Sequence, residues 1–211
     1  MKPAVVKAIV FDLDGTLYVS EPFEQAIWAS VSRYAGELLG TTPQAAGQQL
    51  QQLRERLSTE RGTQQTLAVA IEALGGTVPE MHRRFALELE PQQFLQPDQR
   101  VRQLLDRLKG RYCSWLLTNN NRILTDKILA QLGLGDCFQR IVTINDTWRP
   151  KPDPTVLEQI LRELAVPPEA VLFVGDRFDI DLRLPAQRGC PVLLTKRSEE
   201  RRVGKECRSR W

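Results

Sequence analysis

The sequence predicts an α/β fold, in which a doubly wound (Rossmann-like) parallel sheet carries an α-helical segment inserted after its first strand. Two observations support this prediction. Short apolar runs, typical of strands that are buried on both faces, alternate with apolar stripes at helical spacing. Residues 19–97 interrupt that alternation, because they contain only helical stripes. The alternation favours a parallel sheet with helices on both faces, and the interruption favours a separate helical unit.

The predicted strands are the short apolar runs. They cover residues 8–11, 113–117, 141–144, 171–174 and 192–194. Apolar stripes at helical spacing lie between the later runs. Their members are Val101, Leu104, Leu105 and Leu108; Ile128, Leu129 and Leu132; and Val156, Leu157, Ile160, Leu161 and Leu164.

Residues 19–97 are predicted to form four helices. Thr42 and Pro43 supply an N-cap followed by proline at the first helical position, and the glycines at 75–76 supply a stop. The apolar stripes are Phe23, Ile27, Val31, Ala35 and Leu38; Ala46, Leu50, Leu53 and Leu57; Leu67, Ile71 and Leu74; and Met81 with Phe85. We therefore expect a discontinuous α/β core over 1–18 and 98–196 and a helical cap over 19–97.

Composition excludes several functions. His82 is the only histidine among 211 residues, so a Ser-His-Asp triad or a three-histidine zinc site is not expected. The four cysteines show no CxxC spacing, which favours reduced thiols in a cytoplasmic protein. No apolar run approaches the roughly 20 residues of a membrane span. A net charge of +3 is too small to indicate a nucleic-acid partner.

Two carboxylates stand directly after the first predicted strand. Asp12 and Asp14 are two positions apart, so they project to the same side at the carboxyl end of the strand. Burying carboxylates is costly without a cation or a ligand, and Gly15 allows the chain to turn sharply there. The alternative is a helix-capping aspartate followed by an ordinary turn.

Four short motifs together resemble the signatures of the haloacid dehalogenase superfamily, most of whose members are phosphatases. They occur in the family's order, each at a strand end or a helix start, and span most of the chain. The motifs are DLDGT at 12–16, LLTN at 116–119, KPDP at 151–154 and VGDRFDID at 174–181. The resemblance is to the phosphatase type with a helical cap between the first and second motifs, as in phosphoglycolate phosphatases and pyrimidine 5′-nucleotidases.

The resemblance implies a role for each motif residue in phosphoryl transfer. Asp12 would be the nucleophile that forms a phospho-aspartate, and Asp14 the general acid and base. Thr118 and the backbone amide of Asn119 would bind the phosphoryl group. Lys151 would supply fixed positive charge between the nucleophile and the phosphate.

The resemblance also implies a magnesium cofactor. Its ligands would be the carboxylates of Asp12 and Asp176 and the backbone carbonyl of Asp14. Asp181 is expected to order the metal's waters, and Asp179 is the alternative for that role. Relatives that remove halogens generally lack the second acid of the first motif, so Asp14 favours phosphatase chemistry.

The helical insertion implies a small phosphorylated metabolite as substrate, since a closing lid would obstruct a macromolecule. Several other polar and aromatic residues are either substrate contacts or ordinary packing and surface residues. They are Tyr18, Glu21, the arginines at 83–84, the asparagines at 120–121 and Trp148. Two alternatives stay open: a phosphomutase of the β-phosphoglucomutase type and a non-catalytic module that binds a small molecule or phosphate. The oligomeric state is left open.

Residues 197–211 differ from the rest of the chain. They have no periodicity and no apolar face, and they are similar to the translation of a common short-read sequencing adapter. They hold six basic and three acidic residues, so the whole net charge of +3 belongs to them. We expect this tail to be non-native, and a basic tail for an acidic partner is the alternative.

Overall fold

Five parallel strands form one sheet in the computed structural model, which describes residues 5–195. The strands are β1 (Ala8–Phe11), β2 (Cys113–Leu117), β3 (Arg140–Val142), β4 (Val171–Gly175) and β5 (Val192–Leu194). Their order is β3-β2-β1-β4-β5, so β1 lies at the centre and pairs with both β2 and β4. The predicted α/β fold with a parallel sheet is confirmed.

The helices of the described residues include four in the predicted insertion and five that follow it. The first four are α1 (Glu21–Leu39), α2 (Pro43–Arg61), α3 (Leu67–Ala73) and α4 (Val78–Glu88). The others are α5 (Gln99–Leu108), α6 (Arg122–Leu132), α7 (Ile144–Thr147), α8 (Pro154–Leu164) and α9 (Arg183–Gln187). Three-residue 3₁₀ turns occur at Pro91–Gln93 and Pro168–Ala170, and Phe178–Leu182 forms a π-helical turn.

Successive side chains of β1 point to opposite faces of the sheet. Ile9 and Phe11 are buried in a cluster that includes the apolar face of α6, whereas Ala8 and Val10 are buried in a second cluster with α8. Helices therefore cover both faces, as a doubly wound sheet requires, and the strand is apolar throughout because neither face meets water.

The inserted helices begin and end at residues suited to those positions. The hydroxyl groups of Ser20, Thr42, Thr66 and Thr77 accept hydrogen bonds from the first turns of α1 to α4. The predicted Thr42 cap and the helix that ends before Gly75 are both present. The four helices share one buried apolar cluster with Ile9 and Phe11 of the sheet. The division into core and cap remains a prediction.

Three details of the predicted elements are wrong. β3 ends at Val142 rather than at 144, because Thr143 and Asp146 form a capping box that starts α7. In α5, Leu104 is 52% exposed because it lies one position around the helix from buried Leu105. Among residues 5–195, β5 is an edge strand, and Leu193 is 53% exposed instead of being buried on both faces.

Three further predictions concern membrane spans, the cysteines and the tail of the chain. None of the helices in residues 5–195 combines the length and the apolar character needed to cross a membrane. Three cysteines in this range, at 113, 137 and 190, carry free thiols. The tail at 197–211 lies outside the described residues, as does the last residue of the predicted core, Lys196.

Candidate active site

Polar side chains converge where the three central strands end. Asp12 follows β1, Thr118 follows β2 and Asp176 follows β4. The carboxyl ends of parallel strands meet at one edge of a sheet, which is where open α/β folds bind ligands. The first, second and fourth motifs are therefore brought together by the sheet alone.

A buried lysine joins two buried aspartates at this edge. The Lys151 Nζ donates to Asp12 Oδ1 at 2.6 Å, to Asp181 Oδ1 at 2.8 Å and to the carbonyl of Leu117 at 3.0 Å. The side chains of Asp12, Lys151 and Asp181 are all less than a tenth exposed. The other oxygen of Asp12 accepts from the Thr16 hydroxyl at 2.9 Å. Asp12 is thus held by a cation on one side and by a neutral donor on the other.

Burial and ion pairing act in opposite directions on these groups. Burial raises the pKa of Asp12 to about 6, against the lowering effect of Lys151. Burial would also raise the pKa of Asp181, but Lys151 and Arg177 outweigh it and hold that pKa below its usual value. For Lys151, burial favours the neutral amine, yet the two aspartates keep its pKa above the ordinary value. Lys151 is therefore a permanent cation at neutral pH.

Asp14 lies two residues after Asp12, and its carboxylate accepts hydrogen bonds from two neutral donors. The Tyr18 hydroxyl donates to Asp14 Oδ1, and Asn120 Nδ2 donates to Asp14 Oδ2 at 2.8 Å. Burial, followed by the nearby Asp14 carboxylate, raises the pKa of Tyr18 well above its usual value, so Tyr18 stays a donor. The sequence analysis named Tyr18 and Asn120 as either substrate contacts or packing residues, and it did not predict their hydrogen bonds to Asp14.

The second motif forms the loop that follows β2. Thr118 is buried, and its Oγ1 accepts from the backbone N–H of Asn120 at 3.1 Å. The Asn119 side chain accepts from the Lys151 backbone N–H at 2.7 Å and donates to the Lys151 carbonyl at 3.4 Å. Asn119 therefore fixes the loop that carries Lys151, a contact that the sequence did not suggest.

Three carboxylates approach closely enough to share a cation. Asp12, Asp176 and Asp181 each offer one oxygen, and these three oxygens lie within 4.8 Å of one another. Oxygen donors of this kind suit a hard divalent ion. Asp176 also lies against the backbone of Gly15, where an added Cβ would be 2.3 Å from Asp176 Oδ2. The donor set fits a divalent metal, and Gly15 leaves room for Asp176 to reach it.

Arg177 belongs to the site although the sequence assigned it no role. Its backbone N–H donates to Asp181 Oδ2 at 3.0 Å, and its Nε lies 3.7 Å from Asp176 Oδ1. Burial would lower the pKa of Arg177, but the surrounding aspartates keep it above the ordinary value. Its position directly after the Gly-Asp pair of the fourth motif was the only available signal. With Lys151 it gives the site two cations against four carboxylates.

The two candidate acids of the fourth motif point to different partners. Asp181 contacts Lys151, whereas Asp179 Oδ2 accepts from the Gln64 backbone N–H at 3.4 Å and Asp179 Oδ1 lies 3.8 Å from Arg183 Nε. Asp179 thus links the α2–α3 loop to the core. The geometry favours Asp181 for a role beside the metal, and that role remains a prediction.

A cavity of about 390 Å³ lies between this site and the inserted helices. The sheet side contributes Asp14, Asn119, Asn120, Asp176 and Arg177, and the linker after β1 contributes Tyr18. The helical side contributes apolar and polar side chains, among them Phe23, Trp28, Arg54, Thr66, Met81, His82 and Phe85. Such a volume is typical of a pocket for a small molecule.

The remaining candidates from the sequence do not line this cavity. Arg83 and Arg84 pair with Glu80 at 2.7 and 2.9 Å, so they are surface ion pairs on the helical segment. Glu21 is exposed, and Trp148 is 43% exposed. Asn121 caps α6 and donates to the His82 carbonyl at 3.0 Å.

A comparison with protein families decides where this arrangement belongs. The model of the haloacid dehalogenase-like hydrolases matches residues 6–187. The chain belongs to the haloacid dehalogenase-like hydrolases. The membership inferred from the four motifs is confirmed, and so is the prediction of a phosphatase-type hydrolase, because curated relatives of this hydrolase are phosphatases.

Two such relatives resemble it over most of their length. A phosphoglycolate phosphatase from Pectobacterium atrosepticum is 29% identical over 196 residues, covering 88% of this hydrolase and 78% of the relative. A glyceraldehyde 3-phosphate phosphatase from Methanothermobacter thermautotrophicus is 24% identical over 204 residues, covering 90% and 85%.

Solved structures share the fold of this hydrolase. A phosphatase of the family from Thermococcus onnurineus has a TM-score of 0.61 at 22% identity, covering 92% of this chain and 87% of that one. A 2-haloacid dehalogenase from Pseudomonas syringae has a TM-score of 0.56 at 24% identity, covering 90% and 86%. Since a phosphatase and a dehalogenase both have this fold, the fold alone does not distinguish the two reactions, and the residues of the site have to be compared.

Proposed function

We propose that this hydrolase is a magnesium-dependent phosphatase that cleaves a small phosphomonoester through a phospho-aspartate on Asp12. The observation that carries the proposal is the buried Asp12–Lys151–Asp181 cluster, with Asp14 beside it at the wall of the cavity. A dehalogenase would have no use for a second acid at the position of Asp14. The two phosphatase-named relatives support the same reaction class.

In the first half of the reaction, the Asp12 carboxylate attacks phosphorus and forms an acyl phosphate as the bond to the ester oxygen breaks. Asp14 gives its proton to that oxygen, so the alcohol leaves neutral. In the second half, Asp14 takes a proton from a water that attacks the acyl phosphate. Inorganic phosphate is released, and Asp12 returns as a carboxylate.

Fixed charge and hydrogen bonds position the reacting groups. Lys151 holds Asp12 ionised and balances part of the negative charge that a phosphate brings to it. Thr118 and the Asn119 backbone amide would bind phosphoryl oxygens. Tyr18 and Asn120 orient Asp14. Because these groups sit in place before the substrate arrives, they need little reorganisation during the reaction.

Asp12, Asp176 and the backbone carbonyl of Asp14 would hold the magnesium ion, with Asp181 close enough to order its waters. When bound, magnesium supplies charge neutralisation for the phosphoryl oxygens. With Asp14 protonated as the general acid, three carboxylates still face only Lys151 and Arg177, so a phosphate dianion would otherwise meet a site with excess negative charge. This imbalance supports a divalent cofactor.

The nucleophile is tested by an Asp12→Asn variant, with Asp126→Asn as the matched control. Asp126 lies on the surface of α6, where it pairs with Arg122. We expect Asp12→Asn to lower the turnover of p-nitrophenyl phosphate in magnesium buffer by at least about 1,000-fold, because the amide cannot attack phosphorus. The control should keep its activity within about twofold. Ordinary turnover by Asp12→Asn would disprove the mechanism.

A phosphate-release screen separates the phosphatase from the alternatives. The substrates are phosphoglycolate, glyceraldehyde 3-phosphate, nucleoside monophosphates and hexose phosphates, of which the first two follow from the names of the relatives. A phosphatase releases phosphate into solution, whereas a mutase returns it to the sugar and needs a bisphosphate activator. A binding module would do neither.

A further inference from the structure

Arg54 is a half-buried arginine of α2 that lines the catalytic cavity without an ion-pair partner in residues 5–195. Its Nε donates to the Gln65 carbonyl at 2.8 Å, which fixes the guanidinium and leaves both terminal nitrogens without an acceptor among those residues. Other arginines of the helical segment differ, since Arg33 and Arg84 pair with glutamates. Arg54 therefore faces the cavity with unused hydrogen-bond donors.

The charge around Arg54 adds to this observation. Burial, followed by the positive charge of Arg177, lowers the pKa of Arg54. Arg177 is itself compensated by Asp176 and Asp181. For Arg54, the carboxylate of Glu55 acts in the raising direction, but burial and Arg177 outweigh it, and Arg54 forms no ion pair within residues 5–195. A desolvated guanidinium beside a second cation is costly unless an anion joins it. The helical side of the cavity is therefore set up for a negatively charged group.

The rest of that side suits the organic part of a ligand. Phe23, Trp28, Met81 and Phe85 supply apolar surface. His82 is 5% exposed and lines the same cavity, and its Nδ1 has no hydrogen-bond partner among residues 5–195. Burial lowers the pKa of His82 to about 4, so the imidazole is neutral and adds no charge. Among the described residues that line the helical side, Arg54 is thus the cation, and Glu24 of α1 is the carboxylate.

We propose that Arg54 forms a subsite for a second anionic group on the substrate, away from the phosphoryl group that is transferred. This inference rests on the proposed phosphatase function and narrows its substrate class to phosphomonoesters whose alcohol carries a carboxylate or a second phosphate. Both are planar or tetrahedral oxyanions that the two terminal nitrogens of a guanidinium bind well.

The test compares pairs of substrates that differ only in the second anion. 3-Phosphoglycerate and glycerol 3-phosphate differ by a carboxylate, and fructose 1,6-bisphosphate and fructose 6-phosphate differ by a phosphate. For each pair the readout is a ratio of two kcat/KM values: that of the member with the second anion divided by that of the member without it. A ratio is insensitive to general damage, which lowers both values together.

We expect Arg54→Gln to lower this ratio at least about tenfold for one of the pairs, which corresponds to about 1.4 kcal/mol. Arg54→Lys should restore part of the ratio because it keeps the charge. Arg56→Gln is the matched control on the same helix, since Arg56 is 68% exposed and pairs with Glu60. The pair that responds identifies the anion as carboxylate or phosphate.

Two results would overturn the subsite. One is a ratio that Arg54→Gln leaves unchanged for both pairs, whether or not both members lose activity, and the other is a wild-type enzyme that prefers neither member with the second anion. If wild-type protein releases phosphate from no ester, the proposed function fails separately. The subsite is then judged by calorimetry with 3-phosphoglycerate and inorganic phosphate, where Arg54→Gln should weaken only the carboxylate compound.

Discussion

Lys151 connects the two buried aspartates of the site, Asp12 and Asp181. Its ammonium group is the shared donor to Asp12 and Asp181, and all three side chains are nearly inaccessible to water. Removing one member of such a buried set leaves an uncompensated charge, which typically costs about 3 to 5 kcal/mol. Stability and catalysis are therefore coupled in this cluster, so a variant inside it has to be compared with a matched variant outside it.

The fourth motif offers one aspartate inside the cluster, Asp181, and a matched one outside it, Asp179. We expect Asp181→Asn to lower kcat/KM for p-nitrophenyl phosphate about 10- to 100-fold. The substitution weakens the hydrogen bond that positions Lys151 and removes a carboxylate beside the proposed metal site. Asp179→Asn should change it by less than about threefold, since Asp179 contacts Gln64 and Arg183 instead. Urea unfolding of both variants separates lost activity from lost folding. A larger effect of Asp179→Asn would reverse the assignment.

His82 gives a pH dependence whose sign follows from its burial. Its pKa in the folded protein is about 4, below the ordinary 6.5, so the unfolded chain takes up the proton first as the pH falls. The stability contributed by the neutral imidazole is complete above about pH 6.5 and is lost as the pH falls towards 4. We expect wild-type protein to lose about 2 kcal/mol more than His82→Gln between about pH 7.5 and about pH 5. The measurement is urea unfolding at both pH values, and equal losses would contradict the prediction.

At the level of residues, the sequence predicted those that lie inside short motifs and missed those that the fold brings in from elsewhere. Asp12 and Asp14 were found because two acids directly after an apolar strand need an explanation. Arg54 and His82 lie on helices, where an arginine or a lone histidine among apolar residues is usually structural. Only the packing of those helices over the sheet places them at the cavity.

The turn after β1 depends on a glycine for two independent reasons. Gly15 has a φ of 80°, which disfavours a side chain, and an added Cβ would meet the Asp176 carboxylate at 2.3 Å. The element that delivers Asp14 to the cavity is therefore shaped by the end of β4 as well as by its own backbone.

This double constraint predicts different outcomes for two glycines. Gly40 also has a positive φ, 63°, at the end of α1, but an added Cβ there meets nothing within 4 Å. We expect Gly40→Ala to cost about 1 kcal/mol of stability and to keep activity within about twofold. Gly15→Ala should also lower kcat/KM at least about tenfold, because Asp176 must move. Urea unfolding and p-nitrophenyl phosphate assays measure both effects, and full activity in Gly15→Ala would refute the argument.

Elements were predicted well where periodicity is strong and poorly where a local hydrogen bond competes with it. Thr143 and Ile144 look like a continuation of β3, yet the Asp146 carboxylate accepts from the Thr143 backbone and starts a helix there. β5 reads as a buried strand, and only the strand order shows that it lies at an edge. Apolar content alone carries no information about which strand is outermost.

At the scale of the whole molecule, the cavity between the sheet and α1 to α4 limits the size of the substrate. We expect p-nitrophenyl phosphate to be hydrolysed at least about 100 times faster than a phosphotyrosyl protein, although both are aryl phosphates. The phosphoprotein would have to bring its ester between the sheet and α1 to α4, into a cavity of about 390 Å³, a size typical of small-molecule pockets. Phosphate release is measured for both, with a nonspecific phosphatase as the positive control. Comparable rates would mean that the helices leave the site open.

The two ends of the helical segment meet at one place. The Ser20 hydroxyl at the start of α1 donates to the Phe94 carbonyl at 3.1 Å, 74 positions later, and the rings of Phe23 and Phe94 lie 5.7 Å apart. Because its ends adjoin, the segment leaves and rejoins the core at one place, and its length does not set the spacing of β1 and β2. We expect the segment to behave as an exchangeable module, so that engineering could redirect the enzyme to another ester without disturbing its nucleophile.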